Sequence, residues 1–475
     1  MIKMTQTDKF FYSCLFFCLL ILLILAFYTD GMAGGGDAIN HFMFAKFSWK
    51  HHELFFDHWA KPVFTILSSP FAQLGYKWVK VFNVLIAVTA AYFTFRSAKI
   101  LSIRNAFLVA FFYFGSTLNV TVTLSALTEP LFALVLILSI YYYLKKQPIA
   151  ATIIISFLPF VRSEGLIMLC IFVVYLLLTK RMKLIPLLLT GHFIMSIAGY
   201  FYYHDVLWVF NKIPYAKNYH NYGSGTWDHF IITMEFMIGP VLYSLLIIGG
   251  LAFVFLIKKK FSEQFFFEKL ILVYGVFVGF FFAHSAFWAL GIFNSLGLGR
   301  VFVGVMPLLI LIAIEGLNTI LQFFGKESTK KIVLAVLTSL VIIFPFFKNP
   351  AGYNFERDFD YTNGRLMQHQ IIPYLQTKFP SYKIYSSVID FPFFMDIDFK
   401  DDKKYASLSS LNPDFSLKEN EVIIWDNWFS VVEEHITEEA LKSQLRADTF
   451  FQCSNGNSDT TRYVVFIKRP GSLTR

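Results

Sequence analysis

The chain has 475 residues, 56% of them hydrophobic and 19% aromatic, with only 15% charged. A soluble domain carries roughly 25% charged residues, so the composition excludes an ordinary soluble protein and points to the bilayer. The formal net charge of +9 is unevenly spread: residues 1–347 hold 26 Lys and Arg against 14 Asp and Glu, and residues 348–475 hold 15 against 18. A basic excess confined to the apolar part reports membrane topology and requires no nucleic acid. Cys14, Cys18 and Cys170 lie in apolar runs and Cys453 stands alone near the C-terminus. That pattern is neither a disulfide framework nor a set of metal ligands, and it excludes a redox role.

Lys3 and Lys9 precede an apolar run from Phe10 to Tyr28. The run is closer to a full span than to the apolar region of a signal peptide, and it reads as a retained first helix. A crossing helix needs about 20 apolar residues. Further candidates are 80–97, 126–144, 164–179, 184–203, 232–257, 268–290, 301–323 and 332–347, with two shorter runs at 105–118 and 148–161.

Cytoplasmic loops collect Lys and Arg near the helix ends. The clusters here are Lys3/Lys9, Arg96/Lys99/Arg104, Lys145/Lys146, Lys180/Arg181/Lys183, Lys258/Lys259/Lys260 and Lys326/Lys330/Lys331. If all six face the cytoplasm, 105–144 and 148–179 must each go out and return, so both short runs cross, tilted or beside thinned lipid. The expectation is a polytopic α-helical membrane protein of about eleven transmembrane helices, in a bacterial inner membrane, with its N-terminus cytoplasmic.

The breaker-rich stretch Lys348-Asn-Pro-Ala-Gly352 sets a boundary near Asn349. It separates a membrane domain, 1–347 with a long first outer loop at 29–79, from a soluble extracytoplasmic α/β domain, 348–475. Strands are expected at 383–389, 421–425 and 462–467, where β-branched and aromatic residues gather, and a helix over 430–445. Trp425, Asp426, Trp428 and Phe429 are expected in the core of that domain more than on a partner-binding surface.

This topology brings several polar residues to one side. In the first outer loop, Asp37 and His41 are spaced i,i+4 and share a helix face, after Gly34-Gly-Gly36 lets the backbone turn. The same pattern fits a surface helix with an N-terminal Asp cap. Asp57-His58-Trp-Ala-Lys61-Pro62 follows. Hairpin tips add Thr128-Glu129-Pro130 and Arg162-Ser-Glu164-Gly165, and Asp228 and Arg300 lie in later outer loops. Ionisable groups near a bilayer are costly, roughly 2.5–3.5 kcal/mol at a helix centre, and usually pair or line a cavity. Arg162 and Glu164 could simply pair with each other, Arg300 could snorkel, and Trp227-Asp228-His229 with the Tyr-rich run 215–222 could form an aromatic belt. Carboxylates and cations together at the lipid border suit a lipid with a phosphate-linked head group.

In these motifs the chain resembles the GT-C superfamily of polytopic glycosyltransferases, which includes protein O-mannosyltransferases and the lipid A aminoarabinose transferase. The carriers of the resemblance are Gly-Asp37-x-x-x-His41, Asp57 to Lys61-Pro62, Thr128-Glu-Pro130, Arg162-Ser-Glu164-Gly165, and Arg300 opening a span that contains Pro307. It implies a polyprenyl-phosphate monosaccharide donor, with mannose or another hexose transferred by inversion to an acceptor hydroxyl of a glycan, glycolipid or protein. Asp37 would be the catalytic base. Arg300 and Arg162 would meet the departing phosphate, with Lys61 and His58 as second candidates. His41, Asp57, Glu129, Glu164 and Asp228 would serve substrate binding. Members often carry paired acids at the first motif, whereas Ala38 follows Asp37 here, which leaves open whether a divalent cation takes part. The competing expectation is a lipid-linked sugar flippase or another transporter.

Overall fold

In hydrocarbon every backbone N–H and C=O must bond within its own segment, so the apolar runs fold as helices. The computed structural model describes residues 4–33, 35–214, 222–255, 257, 264–378, 381–411, 417–444, 447–454 and 462–468. Gly34, the Tyr-rich run up to 221 and the Lys258–Lys260 cluster lie outside the described residues. Contacts divide the chain into two compact units: residues 1–29 with 44–354, and residues 30–43 with 355–475. The long first loop is thus shared between the two units.

Among the described residues of the first unit, six helices are long and apolar enough to cross a membrane: Gln6–Tyr28, Tyr76–Ile100, Met182–Tyr203, Glu268–Leu290, Gly299–Gln322 and Glu327–Phe346. The run 105–118 extends into a bent pair, Ala106–Phe114 and Thr117–Thr123, which meet at 72° and make a seventh span if they cross together. Ser116 sits at the bend, and its hydroxyl accepts the Asn119 N–H that the new helix leaves open. The run 232–257 is divided as well. Gly239 has φ 83°, and Pro240, which has no N–H, restarts the helix as Pro240–Phe255 after His229–Ile238. Glu129–Leu144, Pro148–Phe160 and Gly165–Leu178 are shorter apolar helices. Among the described residues, length and composition alone give six or seven spans where eleven are expected, and the remaining candidates are short or broken apolar helices.

The core of this unit lies around Gly299–Gln322, which is 89% buried over its most apolar stretch, against 22% for Gln6–Tyr28 and 11% for Glu327–Phe346. Helix Pro240–Phe255 lies directly against it. A Cβ at Gly249 would collide with the Ile312 carbonyl, and one at Gly316 with the Leu245 carbonyl, so the pair of glycines lets two backbones touch. Near the far end of the central helix, Glu315 binds the Lys269 ammonium at 2.9 Å and accepts a hydrogen bond from the Tyr274 hydroxyl.

The second unit holds a five-stranded sheet: β1 Lys383–Ser386, β2 Tyr405–Ala406, β3 Glu421–Asp426, β4 Ala447–Ser454 and β5 Arg462–Lys468, in the order β2-β1-β3-β5-β4. β1 pairs parallel with both β2 and β3, while β5 runs antiparallel to β3 and β4. Every residue of β3 is buried, and its alternating side chains enter two cores. Val422 and Ile424 join Ile384, Phe391 and Val465 on one face; Ile423 and Trp425 join Leu408, Leu441 and Phe466 on the other. The expected helix over 430–445 is two pieces, Phe429–Glu433 and Glu438–Gln444, separated at His435 with φ 57°. The interruption brings the Ile436 carbonyl to the indole N–H of Trp425 at 2.8 Å. Trp425 and Asp426 are buried as expected, and Trp428 is exposed.

Between the ends of β1 and β3 lie two buried acids, Asp390 and Asp426. The Tyr361 hydroxyl donates to Asp390. Burial pushes the Asp390 carboxyl up to about 7, with Asp426 beside it acting in the same direction. The folded unit therefore holds a proton that the unfolded chain releases near its ordinary value of 3.8, so stability falls as pH rises from there to about 7. Amide exchange of β3 between pH 5 and 7.5 should show that slope in the full chain. Asp390→Asn should flatten it, since the substituted group no longer titrates. A second expectation concerns the helix pair. Gly316→Leu overpacks the contact and should cost about 1–3 kcal/mol in detergent unfolding.

Candidate active site

Three tight turns of the first unit present the charged motifs. Asp57 opens the first, its Oδ1 accepting the Ala60 N–H at 2.9 Å. Lys61 closes that turn at φ 68°, and Pro62 then starts helix Pro62–Ala72. Thr128 and Glu129-Pro130 form the entry to helix Glu129–Leu144. The third turn runs from Leu158 to Gly165. Only glycine fits at 165, because a Cβ there would strike the Leu158 backbone. Arg300 comes from a short 3₁₀ turn, Gly299–Val305, ahead of helix Met306–Gln322.

These turns meet around one carboxylate. The Glu129 side chain is fully buried and lies 2.7 Å from Nη1 of Arg162 and 3.5 Å from Nε of Arg300. Arg162 also binds Glu164 at 2.7 Å and donates from Nη1 to the Thr128 hydroxyl at 3.0 Å. Lys61 adjoins the same tip: its ammonium donates to the Ser163 hydroxyl and to the His58 carbonyl, both at 3.0 Å. Two guanidinium groups thus share the buried Glu129, and the Lys61 ammonium reaches the same tip through Ser163. Arg162 and Arg300 are 16% and 18% exposed and Glu129 is not exposed at all. The guanidinium groups therefore lie nearer the surface than the acid that holds them, and an arrangement of this kind can accept an anion from solvent or from a lipid head group.

Five of the residues singled out in the sequence, Lys61, Glu129, Arg162, Glu164 and Arg300, are joined directly or through a neighbour. The others take different places. Asp57 caps its own turn, and the His58 imidazole bonds the Val209 carbonyl at 3.1 Å. Burial, and then the Lys61 charge, pushes His58 down to about 4, so it is neutral at physiological pH. Asp228 is exposed at the start of helix His229–Ile238. Asp37 and His41 sit on helix Gly36–Phe47, in the part that clusters with the second unit; His41 is buried and Asp37 half-buried. Among the described residues no group of three or more His, Cys, Asp or Glu side chains is arranged to hold a metal ion.

Sequence reasoning missed two ligands of the cluster, Ser163 and the Thr128 hydroxyl. Both were legible as neighbours of Arg162 and Glu129 in the motifs. It also missed Lys80, fully buried at the start of a span, whose ammonium donates to the Thr29 carbonyl at 2.7 Å and hydroxyl at 3.1 Å. A lysine opening an apolar run was its only signal.

No family model matches the chain, and no curated protein sequence does. Among solved structures, ArnT from Cupriavidus metallidurans bound to undecaprenyl phosphate aligns with a TM-score of 0.60 at 11% identity, over 96% of this chain and 97% of that one. The same protein in its apo state gives 0.55 at 11% identity with the same coverage. The class this defines is a polytopic α-helical membrane protein of the GT-C fold with a small C-terminal α/β region. That is the fold the motifs led us to expect.

Removing Glu129 would leave two guanidinium groups facing each other at its site. Glu129→Ala is expected to cost about 3–5 kcal/mol in detergent unfolding, as for other broken buried pairs. Glu164→Ala should cost less, because Arg162 keeps Glu129. Equal losses would show that Glu129 does not organise the cluster.

Proposed function

We propose that this protein is a membrane glycosyltransferase that takes a sugar, a hexose such as mannose, from a polyprenyl-phosphate donor. It passes the sugar to an acceptor hydroxyl of a glycan, glycolipid or protein on the non-cytoplasmic face. The observation that carries the reading is the cluster of Lys61, Arg162 and Arg300 around Glu129 and Glu164, in a chain with the fold of a protein crystallised with undecaprenyl phosphate. The proposed topology keeps the N-terminus in the cytoplasm and residues 348–475 outside, with about eleven crossings in which the short and bent helices take part.

In the proposed reaction the acceptor oxygen attacks the anomeric carbon as the bond from that carbon to the phosphate oxygen breaks. Asp37 takes the hydroxyl proton, the polyprenyl phosphate leaves with the bonding electrons, and the anomeric configuration inverts. Arg162 and Arg300, with Lys61, stabilise the charge that grows on the departing phosphate, an effect often larger than that of the base. Glu164 and Glu129 hold the guanidinium groups in place. Asp57 and His58 shape the turn that carries Lys61, while His41 and Asp228 bind sugar or acceptor groups.

Transfer of labelled sugar from a polyprenyl-phosphate donor in purified membranes tests the reading. Asp37→Asn should lower turnover about 10²–10⁴-fold with the fold retained, the usual worth of a general base. Arg300→Ala should lower it with little effect on acceptor KM. Movement of the intact lipid-linked sugar across proteoliposomes, with no covalent change, would establish a flippase instead.

A further inference from the structure

The order β2-β1-β3 places β1 between two parallel neighbours, so the chain leaves the sheet in opposite directions after β1 and after β3. In open α/β sheets the crevice at such a reversal, outside the carboxyl ends of the strands, is where ligands bind. Here a piece of the chain itself lies against the loops that border it.

That piece is Asp30–Met43, the one stretch of the first loop that clusters with the second unit. Its start is bound backbone to backbone: the Asp30 N–H donates to the Phe359 carbonyl at 3.0 Å, and Gly31 lies so close to the Asp358 carbonyl that a Cβ would collide. Gly35, at φ 82°, is covered by the Tyr361 side chain; a Cβ there would be 2.5 Å from the hydroxyl and 2.8 Å from ring carbons. Gly36 meets Phe429 after β3, where a Cβ would lie 3.3 Å from Cζ. Six residues further along the helix, Phe42 packs edge to face on Phe393 after β1, with ring centroids 5.5 Å apart.

Each covering residue is itself held by a buried acid, Tyr361 through its hydroxyl and Phe429 through its backbone N–H. The Tyr361 hydroxyl donates to Asp390, and its ring stacks on Phe394 at 6.1 Å. Asp426, at the end of β3, accepts the Phe429 N–H at 2.6 Å and the Trp428 N–H at 2.9 Å. We infer that Tyr361 and Phe429, held by Asp390 and Asp426, are positioning residues that fix the backbone of Gly35-Gly36-Asp37. The soluble domain would thus set the conformation of the catalytic-base motif, a consequence that rests on the function proposed above.

The two acids suit this role. Burial raises both carboxyls, Asp390 to about 7, with Tyr361, Asp426 and Tyr405 as its polar surroundings. A neutral acid can hold the tyrosine without burying an unpaired charge.

Hydrogen exchange on the full chain in detergent tests the inference without relying on activity. Tyr361→Ala should speed exchange of the amides of residues 35–43 about tenfold while β3 and β5 keep their wild-type protection. Tyr361→Phe, which keeps the ring but loses the bond to Asp390, should restore only part of the protection. In the transfer assay Tyr361→Ala should lower kcat about tenfold with the donor KM unchanged within about twofold. Wild-type exchange at 35–43 in Tyr361→Ala would overturn the inference, and so would equal loss of protection across the sheet. Selective exchange in a protein that transfers no sugar would leave the positioning intact and refute the function; transfer without selective exchange would do the reverse.

Discussion

The structure of the membrane unit depends on one buried negative charge. Glu129 has no exposed surface, and burying a carboxylate is costly unless cations pair with it. Arg162 and Arg300 are those cations, and they come from turns about 30 and 170 residues further along the chain. Three turns that share no local sequence signal are thereby obliged to meet. Such a pair contributes little net stability against a well-packed apolar alternative, because desolvation offsets most of the attraction. What it supplies is position: two guanidinium groups held by a charge that cannot move.

That constraint also explains why bland and functional readings of the same residues need not exclude each other. Arg162 does pair with Glu164, the plainest expectation from two charges separated by one residue. The pairing leaves Arg162 in the cluster, because the guanidinium fork can address several acceptors at once. Asp57 and His58 show the opposite outcome. Their hydrogen bonds to Ala60 and Val209 hold the turn that presents Lys61. A motif of six residues thus divides into those that shape the backbone and one that carries charge, and spacing alone does not say which is which.

How much could be read in advance follows from the range of the forces involved. Among the described residues, the apolar runs of the first 347 positions are helical, as a bilayer requires of the backbone. Strands β1, β3 and β5 were legible from β-branched and aromatic residues. β2 has two residues, too few to show a pattern, and β4 contains Asp, Gln and Ser among its aromatics. The breaks were harder to foresee. Gly239-Pro240 was visible as a pair, yet Gly and Pro occur inside many membrane helices and marked no boundary on their own. Least legible was the allegiance of residues 30–43. Their attachment rests on close backbone approach at Gly31, Gly35 and Gly36 to partners more than 300 residues distant in sequence, and no local periodicity encodes that.

The glycines of the first motif therefore have more than one role. Freedom to turn is the reading that sequence suggests, and Gly35 at φ 82° uses it. The absence of a side chain matters as much, since Tyr361 and Phe429 occupy the space that a Cβ at 35 or 36 would need. A general base acts only if its carboxylate is held within a few tenths of an ångström of its productive position. An aspartate on a free loop would pay for that ordering in every cycle, whereas one that follows a clamped backbone has most of the ordering done when the chain folds. In the reaction proposed above, the charge cluster around Glu129 would follow the same logic with electrostatics in place of packing: groups fixed by their own ion pairs would not need to reorganise as charge develops.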